Sequence, residues 1–333
     1  MAGIACARTL IQAGHQVRVF EAAAAPGGRM AAFDTPFGSF DHGAQYFTVR
    51  DTRFARALET VPGLCKRWSA SSVRVLDAHG RVAEAAMPTP DPHWVASPSM
   101  AALPLAWAAP IAAAGALVLQ STVQAIERDR LNARRWQLRT AGSAGAQQVH
   151  AGFDQVLLTL PHIPAQRLLS NMKHQAFAAA LAPVRVDPCW TLMLAFPQAS
   201  QPGLVSLGPQ WNAAFSSHHR VAWLARESSK PGRAPIERWT VQASPLWSAE
   251  HWTDTPERVT AKLCKAFSEV TGIRAEPGYT ELVGWAEAKT AVPLGRSHLW
   301  DARQGIGVAG DWCLGHRVED AFLSGLELAL AVA

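Results

Sequence analysis

Residues 3–21, GIACARTLIQAGHQVRVFE, decide how the chain is read. Ile4, Ala7, Leu10 and Ile11 recur at helical spacing, and Gly14 suits the left-handed position past a helix end, so a helix is predicted over 3–13. Residues 16–20, QVRVF, then alternate like a strand and close on Glu21. A helix feeding a strand that ends in an acid is half of a βαβ unit. In dinucleotide-binding folds the third glycine of G-x-G-x-x-G packs its helix on the sheet, and an acid ending the second strand binds ribose hydroxyls. Gly3 and Glu21 fit those two roles, although an ordinary surface helix and strand would read the same way. The first strand and the first two glycines are missing, so the sequence is expected to begin inside the motif.

Working outward, residues 52–60 read as a helix, and 116–126 and 135–140 as antiparallel strands. DQVLLTL (154–160) is the near-continuous apolar run of a buried parallel strand, and Pro161 starts a short helix. Residues 190–196, 220–225 and 238–243 read as strands of a second, mixed sheet, and 256–270 as a helix with Glu257, Arg258, Lys262 and Lys265 outward. GIGVAG (305–310) is a final strand before a helix from about Arg317 to Leu330. The pattern implies an α/β nucleotide-binding domain built from separated segments with a second domain inserted.

Composition narrows the class. Apolar residues at 49% and charged residues at 17% exclude a disordered chain. A net charge of +5, spread along the chain, does not point to nucleic acid. Cys6, Cys65, Cys189, Cys264 and Cys313 have no CxxC and no metal-ligand spacing, so neither a disulfide framework nor a metal site is expected. No signal peptide is recognised, and Pro104 and Pro110 interrupt the Ala-rich stretch 101–119, so a soluble, cytoplasmic chain is expected.

Three further segments carry cofactor-type signals. In Pro26-Gly27-Gly28-Arg29-Met30, paired glycines allow backbone N–H groups to approach a phosphate and Arg29 adds a planar charge, or the stretch is a plain turn. Asp41-His42-Gly43-Ala44-Gln45-Tyr46-Phe47 suits a flat ring against backbone, or a loop entering a strand. Gly310-Asp311-Trp312 followed by Arg317-Val318-Glu319 offers a carboxylate for sugar-alcohol hydroxyls and a helix N-terminus for an anion, or is a capped helix.

In this order, Gly3…Glu21, GGRM (27–30), DHGAQYF (41–47), LLTLP (157–161), KPGR (230–233), WTVQASPLWS (239–248) and GVAGDW…RVEDAFLSG (307–325) resemble the bacterial renalase-like branch of the FAD-dependent amine oxidase superfamily. GGRM and GDW are shared across the superfamily, whereas DHGAQYF, KPGR and ASPLWS are more specific to the branch. The resemblance implies a Rossmann-like FAD-binding domain of p-hydroxybenzoate-hydroxylase-like topology, here without its first strand, and a mixed-sheet substrate domain over the flavin. The expected division is 1–60, 116–165 and 286–333 for FAD, and 61–115 and 166–285 for substrate. It further implies noncovalent FAD, with Glu21 on the adenosine ribose, Gly28, Arg29 and Met30 along the pyrophosphate and flavin side, and Gly43, Ala44, Gln45 and Tyr46 flanking the isoalloxazine. Val123 would touch adenine through its backbone, Gly310 and Asp311 the ribitol or pyrophosphate, and the Val318 backbone the pyrimidine end. Ala22–Ala25 stands where members often carry a basic, polar stretch, and Val283-Gly284-Trp285-Ala286-Glu287 replaces a common His-Arg-Trp-x-Tyr run.

The implied activity is oxidation of isomeric dihydronicotinamide dinucleotides to NAD(P)⁺, with O₂ reduced to H₂O₂. Oxidation of a small amine, and a degenerate flavoprotein without activity, are the alternatives. Flavin chemistry asks little of side chains, and no nucleophile elbow, HExxH or paired-acid signature is present. Tyr46, Trp285 and Lys289 are candidates for the substrate site. With only two tyrosines, Tyr46 and Tyr279, a two-tyrosine cage is not expected. Trp223, Trp239 or Trp285 could stand in, although most of the tryptophans are expected in the core. His218-His219 is expected to be a solvated pair.

Overall fold

A computed structural model describes residues 1–68, 73–84, 91–142, 145–200, 209 and 211–333. The chain opens with α1 (Ala2–Gln12), β1 (Val19–Phe20), the hairpin β2 (Ala32–Thr35) and β3 (Gly38–Asp41), and α2 (Thr52–Glu59). Four short strands follow, β4 (Cys65–Trp68), β5 (Val73–Leu76), β6 (Val82–Glu84) and β7 (His93–Ala96), then α3 (Ala102–Ala113). The middle holds β8 (Leu117–Val118), β9 (Ser121–Arg128), β10 (Trp136–Gly142), β11 (Gln147–Phe153), β12 (Val156–Leu158), α4 (His162–Asn171) and α5 (Gln175–Leu181). Next come β13 (Arg185–Phe196), β14 (Ala213–Ser216), β15 (Val221–Arg226), β16 (Glu237–Ala243), α6 (Pro245–Glu250), α7 (Pro256–Thr271) and β17 (Tyr279–Val292). The last elements are β18 (Leu299–Asp301), β19 (Ile306–Val308), α8 (Asp311–Leu314) and α9 (Val318–Val332).

Contacts gather the chain into two units. The first comprises Met1–Gly28, Pro104–Val186 and Thr290–Ala333. Its parallel pairings are β1 with β8 (Val19 opposite Leu117) and β12 with β19 (Val156 opposite Ile306). Strand β18 runs antiparallel to β19, and β9, β10 and β11 form an antiparallel meander. The stretch 116–126, expected as one antiparallel strand, is two. Gln120 sits at φ 51°, so β8 stays with β1 while the chain turns into β9. Helix α1 buries Ile4, Ala7 and Leu10, as its spacing predicts, and approaches α9 closely enough that a Cβ on Gly325 would strike the Ala2 carbonyl. Both prolines of the Ala-rich stretch lie inside α3, and Pro104 is tolerated near its start.

The second unit comprises Arg29–Leu103 and Asp187–Lys289. Its main sheet has the order β17-β13-β16-β15-β14-β5-β6; β13, β16, β15 and β14 are antiparallel in turn, β14 runs parallel to β5, and β5 antiparallel to β6. Alternation along β13 divides its side chains. Leu192, Leu194 and Phe196 pack with Val259, Leu263 and Phe267 of α7, while Met193 and Ala195 pack with Phe40 of β3. Helix α7 is amphipathic as expected: Thr255 caps its first turn, its charged residues Glu257, Arg258 and Lys265 are exposed, and Gly272 at φ 74° ends it. Among the described residues no helix is long and apolar enough to cross a membrane.

Candidate functional site

In the first unit, Gly3 lies on the opening turn of α1. A Cβ there would fall 2.7 Å from Thr159 Oγ1, just past β12, so any larger residue would have to displace that hydroxyl. Glu21 follows β1. Its N–H donates to the Val118 carbonyl (2.9 Å), and its Oε1 accepts from Ala23 N–H (2.9 Å), which leaves a half-buried carboxylate at the strand end. Gly27 and Gly28 both hold positive φ, 140° and 55°, and Gly28 is exposed. Val123 lies half-buried on β9. After β19, Gly310 N–H donates to Ser324 Oγ (2.9 Å), and a Cβ on Gly310 would strike the Trp312 ring. Asp311 is buried at the start of α8, and Val318 begins α9, whose entry is fixed by Arg317 N–H donating to Asp320 Oδ2 (2.9 Å).

In the second unit, the expected residues Arg29, Met30 and Gly43–Tyr46 are joined through backbone. Ala44 N–H donates to the Arg29 carbonyl (2.8 Å), a Cβ on Gly43 would collide with that oxygen, and Arg29 Nη1 donates to the Ala288 carbonyl (3.0 Å). Beneath this turn lies a charge cluster without solvent access. Lys230 Nζ donates to Asp41 Oδ2 (3.0 Å), Glu227 Oε1 (2.8 Å) and Gln45 Oε1 (3.2 Å), and Arg233 Nη2 donates to Asp41 Oδ2 (2.7 Å). Met100 N–H donates to Asp41 Oδ1 (2.8 Å), and Gln45 Nε2 donates to the Asp41 carbonyl. Gln242 Nε2 reaches the Gly43 carbonyl (2.7 Å), and Thr240 Oγ1 donates to Glu227 Oε1 (2.8 Å).

The cluster divides its two acids. Burial alone would raise the Asp41 carboxyl, but the charges of Lys230 and Arg233 outweigh it and hold Asp41 below the ordinary range. For Glu227 burial prevails over Lys230, so its carboxyl is pushed up.

Two histidines flank the same turn. His42 stacks on Trp285 with centroids 5.2 Å apart and planes 9° apart, and Trp285 Nε1 donates to the His42 carbonyl (3.0 Å). His93 stacks on Tyr46 at 3.9 Å, and Trp223 lies 5.5 Å from the Tyr46 ring on another side. Both Nδ1 atoms are buried without a hydrogen-bond partner, and burial lowers both imidazoles, against Asp41 for His42 and Asp91 for His93.

Of the substrate-site candidates, Tyr46 and Trp285 belong to these stacks, and Lys289 is exposed on β17. Trp239 is core: it is fully buried, T-shaped against Trp211 at 5.2 Å, and donates to Glu237 Oε1 (2.7 Å). Tyr279 lies apart from Tyr46, against Phe40 and Phe37. His218 is not solvated; it is buried with Nε2 3.3 Å from Glu269 Oε2. Residue-level reasoning did not single out Lys230, Arg233, Glu227, His93 or Gln242. The KPGR motif was visible, but a lysine before Pro-Gly reads as an exposed turn.

The family described as flavin containing amine oxidoreductase matches residues 1–152. In fold the chain is similar to a putative protoporphyrinogen oxidase from Exiguobacterium sp. 255-15, with TM-score 0.77 and 14% identity over 99% of this chain and 96% of that one. It is also similar to cyclohexylamine oxidase from Brevibacterium oxydans IH-35A, with TM-score 0.71 and 14% identity over 99% and 96%. A double mutant of putrescine oxidase, redesigned in cofactor binding, matches with TM-score 0.65 and 12% identity over 99% and 97%. The mixed α/β architecture matches those three structures in fold, as the sequence led us to expect.

Proposed function

We propose that the protein is a renalase-like FAD-dependent oxidase that converts isomeric dihydronicotinamide dinucleotides to NAD(P)⁺. One observation carries this reading. Three segments that resemble the renalase-like branch, DHGAQYF, KPGR and WTVQASPLWS, meet in a single buried network through Lys230–Asp41, Lys230–Gln45, Arg233–Asp41 and Gln242–Gly43. Segments far apart in sequence thus serve one turn, and that turn is the one expected to flank the flavin ring.

The residues fit FAD. Gly3 lacks the Cβ that would separate α1 from the sheet, Glu21 presents a half-buried carboxylate at a strand end, and Gly28 exposes backbone in a left-handed conformation. Glu21 would hold the adenosine ribose, Gly28, Arg29 and Met30 the pyrophosphate and flavin side, Gly43–Tyr46 the ring, Val123 the adenine, and Gly310, Asp311 and Val318 the ribitol and pyrimidine ends. When bound, FAD would take a hydride from the dihydronicotinamide and return two electrons, with one added proton, to O₂ as H₂O₂.

The chain's own part is to position and to exclude water. The Lys230 cluster fixes the backbone of the 41–46 turn, because Asp41 and Gln45 are each tied by more than one bond. Tyr46 and Trp285 offer flat apolar faces suited to a nicotinamide ring. The separation of Tyr46 from Tyr279 into different aromatic clusters disfavours a two-tyrosine amine cage.

The test is peroxide release by purified protein with 2- and 6-dihydronicotinamide isomers beside benzylamine and a polyamine. Peroxide with the isomers and little with the amines is expected. Rapid flavin bleaching by an amine alone would reassign the protein as an amine oxidase.

A further inference from the structure

Strands β9 and β10 of the first unit form a hairpin whose tip is held by its own polar groups. Asp129 N–H donates to the Arg135 carbonyl (2.9 Å), and Arg135 N–H to the Asn132 carbonyl (2.8 Å). Asp129 Oδ1 accepts from Leu131 N–H (2.8 Å), Asp129 Oδ2 from Gly152 N–H (3.0 Å), and Asn132 Oδ1 from Arg134 N–H (3.0 Å). Short polar side chains that bond the backbone two residues on fix a turn in one conformation. The conformation fixed here presents Leu131 at 97% exposure, more than any other large apolar side chain among the described residues.

The free charge at this tip has one sign. Five of the chain's 31 basic residues, Arg128, Arg130, Arg134, Arg135 and Arg139, fall within residues 128–139. All but Arg139 are exposed. The acids beside them are engaged. Asp129 is buried and bonded to backbone N–H groups, Glu127 accepts from Gln137 (3.0 Å) and Arg139 (3.2 Å), and Asp154 lies 3.1 Å from Arg135 Nε. Arg128, Arg130 and Arg134 have no bonded acid among the described residues. A further exposed arginine, Arg303, stands beside the hairpin on the turn whose Gln304 carbonyl accepts from Trp136 Nε1 (2.9 Å).

One exposed leucine is ordinary on a protein surface, and so is one arginine. Their combination on a fixed turn is selective. An acidic leaflet attracts each nearby arginine, and an apolar tip gains when it leaves water for the acyl boundary. Arginine stems lie along such an interface while their guanidinium groups stay at headgroup level. Nucleic acid would use the charge but not the leucine. The hairpin's one aromatic ring, Trp136, is buried beneath the Arg128 guanidinium, 3.6 Å from the ring centroid, and is not free to stack on a base. The tip is at the far end of β9 from Val123, the residue expected at the adenine, a separation of about 20 Å along the strand.

We propose that the β9–β10 tip is a peripheral docking point for an anionic lipid surface. Leu131 enters the boundary between headgroups and acyl chains, and Arg128, Arg130 and Arg134 meet the acidic headgroups around it. A few cations and one leucine give weak, reversible and salt-sensitive attachment. The inference rests on the first unit alone and not on the flavin reading.

The test is co-sedimentation of the full chain with vesicles of phosphatidylcholine, alone or with about 30% phosphatidylserine. The serine-containing vesicles should take up about tenfold more protein at low salt, and about 0.5 M salt should remove the difference. Leu131→Ser should lower that uptake by about threefold or more, and Arg130→Ser combined with Arg134→Ser by about tenfold or more. Thermal melts of these variants should match the parent, since all three side chains are exposed. Equal uptake by the two vesicles would overturn the proposal. Full uptake by Leu131→Ser would overturn it as well, because charge alone would then account for binding. Tighter binding of a DNA duplex of about 20 base pairs, lost in the double-arginine variant, would replace the lipid surface with nucleic acid. Self-association that disappears in Leu131→Ser would replace it with a second copy of the chain. No readout needs flavin or substrate, so failure here and failure of the peroxide assay are separate results.

Discussion

The Lys230 ammonium lies 3.0 Å from Asp41 Oδ2, and neither side chain reaches solvent. A buried ion pair adds little by itself, but removing one partner leaves an uncompensated charge. Lys230→Met should therefore destabilise the protein by about 3–5 kcal/mol, because Asp41 then retains only Arg233 as a charged partner. Denaturant unfolding checks this, and a loss under about 1 kcal/mol would show that the cluster tolerates the missing charge.

Glu21→Ala and Asp311→Ala should each weaken FAD binding. Either removes a charge-assisted hydrogen bond of about 1.5–3 kcal/mol, so affinity should fall by roughly one order of magnitude or more. Flavin retained per chain after dialysis is the measurement, and unchanged retention in both variants would remove these residues from the cofactor's contacts.

Noncovalent attachment is expected. Cys313, the one cysteine in a cofactor-type motif, is fully buried, and burial pushes its thiol up to about 12, so it carries almost no thiolate at neutral pH. Acid precipitation should leave flavin in the supernatant; flavin in the pellet would contradict the expectation.

Stability should fall on mild acidification. His42 and His93 titrate below their ordinary 6.5 in the fold because burial disfavours the imidazolium. The unfolded chain then binds more protons, so stability is fully present above about pH 6.5 and is lost as pH falls through the folded values. Urea midpoints should decline between about pH 7 and pH 5, and His93→Phe should flatten that decline. An unchanged slope in His93→Phe would mean that His93 takes no part.

Local pattern carried much of the fold. The apolar period of residues 4–11 gave α1, and the run 256–270 with its charged residues set outward gave α7. The break at Gln120 was not visible, because a glutamine at φ 51° gives no glycine or proline signal and is held by Gln120 N–H donating to Ala23 (3.0 Å), a distant contact. The same holds for the site. Gly3 and Glu21 are marked by spacing, whereas the burial of Lys230 depends on Asp41, almost two hundred residues earlier. His218 was misread for a similar reason, since its partner Glu269 lies on α7.

The close approach of Gly325 to Ala2 has a consequence for biosynthesis. Helix α9 is made about three hundred residues after α1, so α1 leaves the ribosome with Ile4, Ala7 and Leu10 uncovered and gains this partner only once α9 follows. Until then the apolar face of α1 is a hydrophobic client for holding factors. A message that stops before α9 would leave them so permanently, and its product would be recognised by quality control through α1 although the defect lies at α9.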